Sequence, residues 1–304
     1  MKTLDENKKY WLEGDNEPAF LYAKSIIDHH AKSFSFASKF IPEQRRWATF
    51  ATYSFCRYAD NIVDNPRERS KKEIIDELNE IRNEIDFAYK YGESEHPVLK
   101  SFIIAAKMYD IPKQYTFDLL DGVEMDLTID RYKTFDELYL FCYRVASVVG
   151  LMMTYVLGFK DDKTLKYAEE MGVAMQLTNI LRDIKEDKNM GRIYLPLDEI
   201  KQFHLKESDF FSENFNLDFR NFMQYQVDRA KFYYQDSTKG ISMLEHESRF
   251  SIYAAGRIYS GILRKIEERG YNPFLGRVFV PKSEKISILI QEFVKRNVLN
   301  INND

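Results

Sequence analysis

The stretch QLTNILRDIKED, from Gln176 to Asp187, places four oxygen-bearing side chains at a helical spacing. Gln176, Asn179, Asp183 and Asp187 follow one another at intervals of three, four and four residues. An α-helix advances about 100° per residue, so all four lie on one stripe. Aliphatic residues occupy the apolar remainder, at Leu177, Ile180, Leu181 and Ile184, and Arg182 and Lys185 lie beside the stripe. The stretch therefore predicts a long helix whose polar stripe is flanked by aliphatic side chains.

A row of amide and carboxylate groups is costly to bury unless partners satisfy it. Mg²⁺ supplies such partners, because it binds carboxylate oxygens and shares its remaining positions with phosphate oxygens and water. The small residues Gly172 and Ala174 precede the stripe and allow close helix packing. The alternative is a partly exposed polar stripe without a ligand.

A second acidic face lies in CRYADNIVDNP, Cys56 to Pro66. Arg57, Asp60 and Asp64 share one side of a helix, and Asn61 points about 100° away from Asp60. Taken alone, this face is also compatible with a solvated helix end that carries an Arg–Asp ion pair. Together, the two stripes favour several Mg²⁺ ions that hold a diphosphate while its C–O bond breaks to an allylic cation. Such a cation needs an apolar, water-free cavity, where aromatic faces can stabilise it.

The periodicity of the chain is helical almost everywhere, and turn-forming residues are few, with 12 Gly and 8 Pro. Pro42 opens one helix, and Asn65-Pro66 ends it. Capping boxes are predicted at Ser70–Glu73 and Thr134–Glu137. A long helix is predicted from about Lys163 to Asp187. No linker or repeat divides residues 1–304, so we expect a single all-α domain.

Composition narrows the class of protein. The net charge of −4 does not point to nucleic acid. Cys56 and Cys142 stand in apolar helical contexts, which favours buried thiols. Aromatic residues make up 15% of the chain, either to line an apolar cavity or to pack in bulk. The start of the chain shows no secretory signal, and the apolar run Val145–Phe159 is short for a membrane span. We expect a cytoplasmic protein.

Several tracts, in order, resemble the squalene/phytoene synthase family and most closely its bacterial phytoene synthases. They are CRYADNIVD, GVEMDL (Gly122–Leu127), YRVASVVGLM (Tyr143–Met152), GVAMQLTNILRDIKED (Gly172–Asp187) and RIYLP (Arg192–Pro196), with SFSFA (Ser33–Ala37) near the start. Order and spacing match from about residue 25 to 285. The resemblance implies a single-domain isoprenoid synthase fold, a helical bundle around a central cavity.

The resemblance also implies roles for individual residues. The metal ligands would be Asp60, Asp64, Asn179, Asp183 and Asp187, and with Tyr143 they are the candidate catalytic residues. The diphosphates, or a flap over them, would contact Ser33, Arg57, Tyr143, Arg182, Arg192 and Arg277. Further substrate contacts are expected at His30, Lys32, Gln176 and Tyr259. The metal would be Mg²⁺, with Mn²⁺ as a substitute.

Two positions depart from the family pattern. Asn61 stands where many members carry Asp, and Ser147 stands where they carry Gly. Ser147 is expected to add a hydroxyl to a cavity wall without abolishing metal binding. In GVEMDL, Asp126 is either a residue near the site or an ordinary surface acid.

The family joins two identical prenyl diphosphates head to head (1′-1) through a cyclopropylcarbinyl diphosphate. We expect two geranylgeranyl diphosphates to give phytoene. The alternative is two farnesyl diphosphates giving dehydrosqualene, squalene or presqualene diphosphate, with NADPH needed only for squalene. A non-catalytic scaffold of the same fold would tend to lose the acids, which are intact here. Another class I enzyme, a terpene cyclase or chain-elongating synthase, would not explain YRVASVVG.

The membrane contact of the protein is inferred from the substrate class alone. We expect a monomer or weak homodimer that contacts the inner face of the membrane to collect its lipid substrate, although the sequence shows no amphipathic anchor.

Overall fold

The computed structural model describes residues 9–31, 38–64 and 67–297, and helices dominate these ranges. In chain order the α-helices are α1 Glu17–His30, α2 Glu43–Asp64, α3 Lys71–Tyr91, α4 Pro97–Met108, α5 Lys113–Thr128, α6 Phe135–Cys142, α7 Val148–Leu157, α8 Lys163–Asn189, α9 Leu197–Gln202, α10 Glu207–Phe211, α11 Leu217–Ser237, α12 His246–Glu268 and α13 Lys282–Asn297. Short 3-10 turns lie at Tyr10–Leu12, Ser38–Phe40, Thr238–Met243 and Pro273–Leu275. Within the described ranges, β-structure is limited to two isolated bridges, Arg131 to Ile193 and Phe159 to Leu244. The all-α prediction is confirmed.

Helix α8 is the centre of the packing. It contacts α7, α11 and α12 along its length, and its 27 residues begin at the predicted Lys163 and end two residues beyond Asp187. Gly191 follows its end with a φ of 80°, a backbone conformation that glycine adopts without strain. Helix α2, which carries the other acidic face, packs against α1, α4, α5 and α7.

Two clusters of buried apolar side chains form the interior. One surrounds α8 and includes Phe222 and Leu263, and the other surrounds α2 and includes Phe55 and Phe102. The rings of Phe55 and Phe102 stack with centroids 4.3 Å apart. The α6–α7 segment contributes to both clusters and therefore lies where they meet.

Helix α6 continues into α7 through one π-helical turn, Tyr143–Ser147. Two glycines allow neighbouring helices to touch this turn. A Cβ on Gly122 of α5 would lie 2.7 Å from Cβ of Arg144, and a Cβ on Gly172 of α8 would lie 2.4 Å from Cα of Ser147. Single π turns within α-helices are rare and often mark functional sites.

Ser147 does not shape a cavity wall as expected. Its side chain is fully buried, and its hydroxyl donates to the carbonyl oxygen of Glu169 on α8 at 2.7 Å. This bond turns the hydroxyl toward the α8 backbone, and Val145 is the residue of the turn that lines the cavity described below.

The two predicted capping boxes had different outcomes, and the cysteine prediction is confirmed. The capping box at Ser70 and Glu73 is confirmed in full. At Thr134 only half of the box forms, because the Glu137 carboxylate accepts from the backbone of Lys133 instead. The two cysteines are buried free thiols, as predicted.

The apolar run Val145–Phe159, predicted to be short for a membrane span, overlaps a longer helical segment. The continuous helical segment Phe135–Leu157 has 23 residues and is long and apolar enough to cross a membrane by length and composition. However, 56% of its most apolar window is buried inside the protein, and Phe141 and Val145 line the central cavity. Its apolar character therefore serves the interior of the fold.

Candidate active site

A cavity of about 300 Å³ opens between α2, α5, the α6–α7 segment and α8. Its polar lining comprises Asp60, Asp64, Asp126, Gln176, Asn179, Asp183, Asp187 and Arg192. The remaining lining is mainly apolar, with Val63, Val123, Phe141, Val145, Ile180, Met190 and Tyr194. The fold thus brings both predicted acidic stripes to one cavity, from helices more than 100 residues apart in the chain.

The α2 wall carries Asp60 and Asp64. Arg57 Nη1 lies 3.5 Å from Asp64 Oδ2, so the predicted arginine–aspartate face is present. Burial, and then repulsion from Asp64, raises the pKa of Asp60 to about 7. Burial likewise raises the pKa of Asp64, although Arg57 opposes this shift. The cavity lining from α2 is Asp60, Val63 and Asp64, which agrees with the prediction that Asn61 points elsewhere.

The α8 wall holds Asp183 between two guanidinium groups. Arg182 donates from Nε and Nη2 to the two carboxylate oxygens of Asp183 at 2.7 and 2.6 Å. Arg277, in the segment between α12 and α13, adds contacts of 2.9 and 3.1 Å to the same oxygens. Burial lowers the pKa of Arg182, but its hydrogen bond to Asp183 and the charge of that carboxylate outweigh burial and raise the pKa overall.

Asn179 is only half satisfied. Its Nδ2 donates to Gln176 Oε1 at 3.3 Å, whereas its Oδ1 is buried without a hydrogen-bond partner. A buried amide oxygen without a partner is costly, and a metal ion or ligand donor bound at this wall of the cavity would satisfy it.

A hydrogen-bonded group of three side chains, Asp126, Arg192 and Tyr194, completes the lining of the cavity. Arg192 Nη1 donates to Asp126 Oδ2 at 3.3 Å and to the hydroxyl of Tyr194 at 3.1 Å, and Tyr194 donates to Asp126 Oδ1 at 2.5 Å. Asp126 is therefore part of the site and not an isolated surface acid. Glu124, two residues earlier, instead accepts from Arg82 at 2.8 Å, outside this group. Tyr194 was missed by sequence reasoning, although it lies in the RIYLP tract beside Arg192.

The carboxylate and amide oxygens of the cavity suit divalent cations that also bind a phosphate ligand. In the described ranges, no three side chains of His, Cys, Asp or Glu form a ready-made metal site by themselves. The carboxylates stand on different walls, and burial followed by repulsion from Asp183 raises the pKa of Asp187 to about 7. Carboxylates that repel one another around a cavity favour a cation between them. Mg²⁺ is usually held by one or two carboxylates plus substrate phosphates, so this incomplete cage is suitable.

Three predicted site residues neither line the cavity nor pair with its carboxylates. The Tyr143 hydroxyl donates to Asp118 Oδ2 at 3.5 Å, and burial, then the charge of Asp118, raises its pKa to about 12. Tyr259 is half-buried on α12 and acts electrostatically on Arg182. His30 is exposed at the end of α1, where local desolvation and then the charge of Arg57 lower its pKa. Lys32 and Ser33 lie outside the described residues.

Most aromatic residues pack in the two cores, and few reach the cavity. Phe141 and Tyr194 line it, with their rings stacked at a centroid distance of 5.4 Å. Tyr132 stacks behind Tyr194 at 6.1 Å. The cavity therefore has a small aromatic surface next to the acids, suited to a developing carbocation.

The sequence matches the squalene/phytoene synthase family over residues 27–284. It is 35% identical to a 15-cis-phytoene synthase of Synechococcus elongatus over 293 residues, which cover 92% of this chain and 94% of the relative. It is 36% identical to the chloroplastic phytoene synthase 1 of Arabidopsis thaliana over 277 residues, or 89% of this chain and 65% of that one.

Solved structures agree on the fold. A dehydrosqualene synthase in complex with a ligand superposes with a TM-score of 0.83 at 26% identity, covering 91% of this chain and 95% of that one. A squalene synthase from Alicyclobacillus acidocaldarius gives a TM-score of 0.78 at 24% identity, with coverages of 84% and 95%.

Proposed function

Because this chain belongs to the squalene/phytoene synthase family, we propose that it joins two geranylgeranyl diphosphates head to head and releases phytoene. The observation that carries the proposal is the single cavity lined by two acidic stripes, one from α2 and one from α8. The phytoene synthases among its relatives favour the C20 substrate over the C15 substrate.

Members of this family are prenyltransferases that depend on divalent metal ions. In this chain Asp60, Asp64, Asn179, Asp183 and Asp187 would hold Mg²⁺, or Mn²⁺ in its place. The bound ions would neutralise the charge that develops on each leaving diphosphate. The orphaned amide oxygen of Asn179 and the raised pKa values of Asp60 and Asp187 support this assignment.

The arginines around the acids are the proposed diphosphate contacts. Arg192 lines the cavity, while Arg57, Arg182 and Arg277 pair with its carboxylates. A guanidinium binds phosphate oxygens in a bidentate manner, so each can pass from a carboxylate to the substrate. Gln176, His30, Lys32, Ser33, Tyr143 and Tyr259 remain predicted site residues, with Tyr143 acting through its contact to Asp118.

The apolar lining of the cavity would protect the carbocations of the reaction from water. In the first half-reaction one substrate ionises and its C1 joins the double bond of the other, giving a cyclopropylcarbinyl diphosphate. In the second half-reaction this product ionises and rearranges, and loss of one proton gives phytoene. Closure of the cyclopropane in the first half-reaction also releases a proton, so two diphosphates and two protons leave in total, and no reductant is consumed. Val123, Val145 and Phe141 would exclude water from the cations, and Phe141 would add its ring face.

The proposal is tested by product analysis. Purified protein with Mg²⁺ and geranylgeranyl diphosphate should release diphosphate and give a C40 hydrocarbon with the mass of phytoene. The same assay with farnesyl diphosphate examines the alternative products, with and without NADPH for squalene. Consumption of farnesyl diphosphate alone would refute phytoene as the product, and consumption of neither would refute the catalytic function.

The proposal also covers the location, domain organisation and oligomeric state of the enzyme. We place it in the cytoplasm as one domain over residues 1–304, a monomer or weak homodimer that touches the membrane to collect substrate. Light scattering after size-exclusion chromatography measures the oligomeric state directly.

A further inference from the structure

Helix α13 exposes a stripe of apolar side chains. Ile286, Ile290, Phe293 and Val294 are exposed by 56%, 58%, 42% and 38%. At about 100° per residue these four positions fall within an arc of about 100°. We call them the outer stripe. A face of this width is normally turned toward the core of a protein.

The opposite side of α13 is anchored by a polar group. Glu292 is only 3% exposed and accepts from Arg257 Nη1 of α12 at 2.7 Å. Beside it Ile288 is buried, and Glu284 pairs with Lys265 at 3.4 Å. The helix therefore directs a carboxylate inward and four apolar side chains outward, which reverses the usual arrangement. This reversal indicates that the outer stripe serves contact with something outside the fold.

The stripe continues onto a neighbouring element. The ring of Phe40, itself 40% exposed, lies 6.0 Å from that of Phe293 and 4.6 Å from that of Phe250. The surface thus spans two segments far apart in sequence. Contiguous apolar patches of this kind mark sites of protein or membrane interaction.

The charges around the stripe favour an anionic lipid surface. Both acids of α13, Glu284 and Glu292, face α12 and are engaged in ion pairs there. Lys282 is exposed within about 20° of the stripe, whereas Lys285 and Lys295 are half-exposed and lie farther round the helix, toward the side that faces α12. None of these lysines has an ion pair to another described residue. Basic side chains next to an apolar helix face attract anionic headgroups, and long lysine side chains reach the headgroups while the apolar face inserts.

The segment that leads into α13 contacts an acid of the cavity. Arg277, which contacts Asp183, lies five residues before the start of α13. Exposed apolar side chains flank it, Leu275 at 61% and Phe279 at 71%. The arginine that we assign to the diphosphate thus lies in the segment that leads directly into α13.

We propose that the outer stripe of α13, with Phe40, is the surface by which this protein docks on an anionic lipid bilayer. The inference rests on the proposed function, because a bilayer holds the C20 substrate and accepts the C40 product. The helix lies in the headgroup region, with Ile286 and Ile290 inserted and Lys282 at the phosphates.

The test is vesicle flotation of the full chain with two matched double variants. Ile286→Glu/Ile290→Glu places charges on the stripe. Phe87→Glu/Tyr91→Glu places the same charges at the same spacing on α3, where the side chains are 48% and 56% exposed. Vesicles are phosphatidylcholine alone or phosphatidylcholine with phosphatidylglycerol. Activity is measured in parallel with detergent-dispersed geranylgeranyl diphosphate.

The wild type and the α3 variant should float with the anionic vesicles, and more weakly with neutral ones. The stripe variant should lose binding on the order of tenfold or more, because two inserted side chains become charged. All three should form product in detergent, which separates this inference from the proposed function. If the double variant does not fold, as judged by circular dichroism, Ile286→Ser/Ile290→Ser replaces it.

Three results would overturn the inference. They are absence of vesicle binding by the wild type, undiminished binding by the stripe variant, or equal loss in the α3 variant. A wild-type dimer that becomes monomeric in the stripe variant, without vesicle binding by either, would assign the stripe to a second copy of the chain instead.

Discussion

Arg277 and Asp183 are 94 positions apart in the chain, yet their side chains form a two-point contact, with Nε 2.9 Å from Oδ1 and Nη2 3.1 Å from Oδ2. The contact joins the segment before α13 to the middle of α8. It also occupies both oxygens of a proposed metal ligand, so Arg277 and a metal ion compete for Asp183 in the free enzyme.

Arg277→Gln should therefore change two quantities in opposite directions. Removing the competitor should strengthen Mg²⁺ binding to the free enzyme modestly, because Arg182 still holds Asp183. Loss of a charge-assisted diphosphate contact should lower kcat/KM by about 10–100-fold. Calorimetric Mg²⁺ titration and steady-state kinetics measure the two effects, with the exposed Arg220→Gln on α11 as the control. Unchanged kcat/KM would show that Arg277 does not bind the substrate.

The metal assignment predicts a large loss of activity without loss of fold. Asp60→Ala and Asp183→Ala should each lower turnover roughly a thousandfold or more, because stabilisation of the leaving diphosphate is worth several kcal/mol. Circular dichroism should remain that of the wild type. Asp76→Ala, an exposed acid on α3, serves as the control and should be fully active. Near-normal turnover in either site variant would contradict the metal cluster.

The raised pKa of Asp60 predicts how stability changes with pH in the absence of metal. Between its ordinary value near 4 and the folded value of about 7, the folded chain binds more protons than the unfolded chain. Stability contributed by this group is therefore present at low pH and lost as pH rises toward 7. Asp60→Asn, which is neutral at every pH, should stabilise the metal-free protein at pH 8 by on the order of 1–2 kcal/mol.

Thermal unfolding in EDTA at pH 5 and pH 8 measures this difference. The gain of Asp60→Asn over the wild type should be small at pH 5 and larger at pH 8. Addition of Mg²⁺ should stabilise the wild type against thermal unfolding more than it stabilises Asp60→Asn. An equal gain at both pH values would argue against an ionised Asp60 as its cause.

Close packing at the π turn predicts a steric effect. Gly172→Ala should destabilise the protein by about 2–3 kcal/mol, since its Cβ would lie 2.4 Å from Cα of Ser147 and backbone must shift. In the control Gly256→Ala, the nearest atom is Met171 Cε at 3.5 Å, an ordinary contact. That variant should change stability by less than about 1 kcal/mol, because alanine is the better helix former. Denaturant unfolding distinguishes the two, and equal effects would show that the turn yields easily.

Asn61→Asp examines the departure from the family pattern. The new carboxylate would lie beside Asp60 but off the face that lines the cavity. We expect little change in kcat and a modest decrease in the Mg²⁺ concentration needed for half-maximal rate, through added negative potential. Kinetics over a series of Mg²⁺ concentrations measures both. A large change in kcat would mean that position 61 contacts the metals directly.

The sequence alone predicted the features that depend on local spacing. The stripe from Gln176 to Asp187 and the face from Arg57 to Asp64 follow from the helical repeat, which backbone hydrogen bonds set without help from the rest of the chain. The same repeat predicted the all-α fold and the start of α8 at Lys163. Resemblance in the same tracts supplied the family, which the comparisons confirm.

Tertiary structure decided which side chains meet. Asp126 joins Arg192 and Tyr194, and Arg277 meets Asp183, through packing between helices that no local period encodes. The sequence also did not predict the outward face of α13, because a helical pattern does not say which side of the helix the fold covers. The inward ion pair of Glu292 with Arg257 and the exposed fractions of the stripe show that its apolar side chains face out. Local backbone geometry fixes what lies on one face, whereas long-range packing fixes what that face meets.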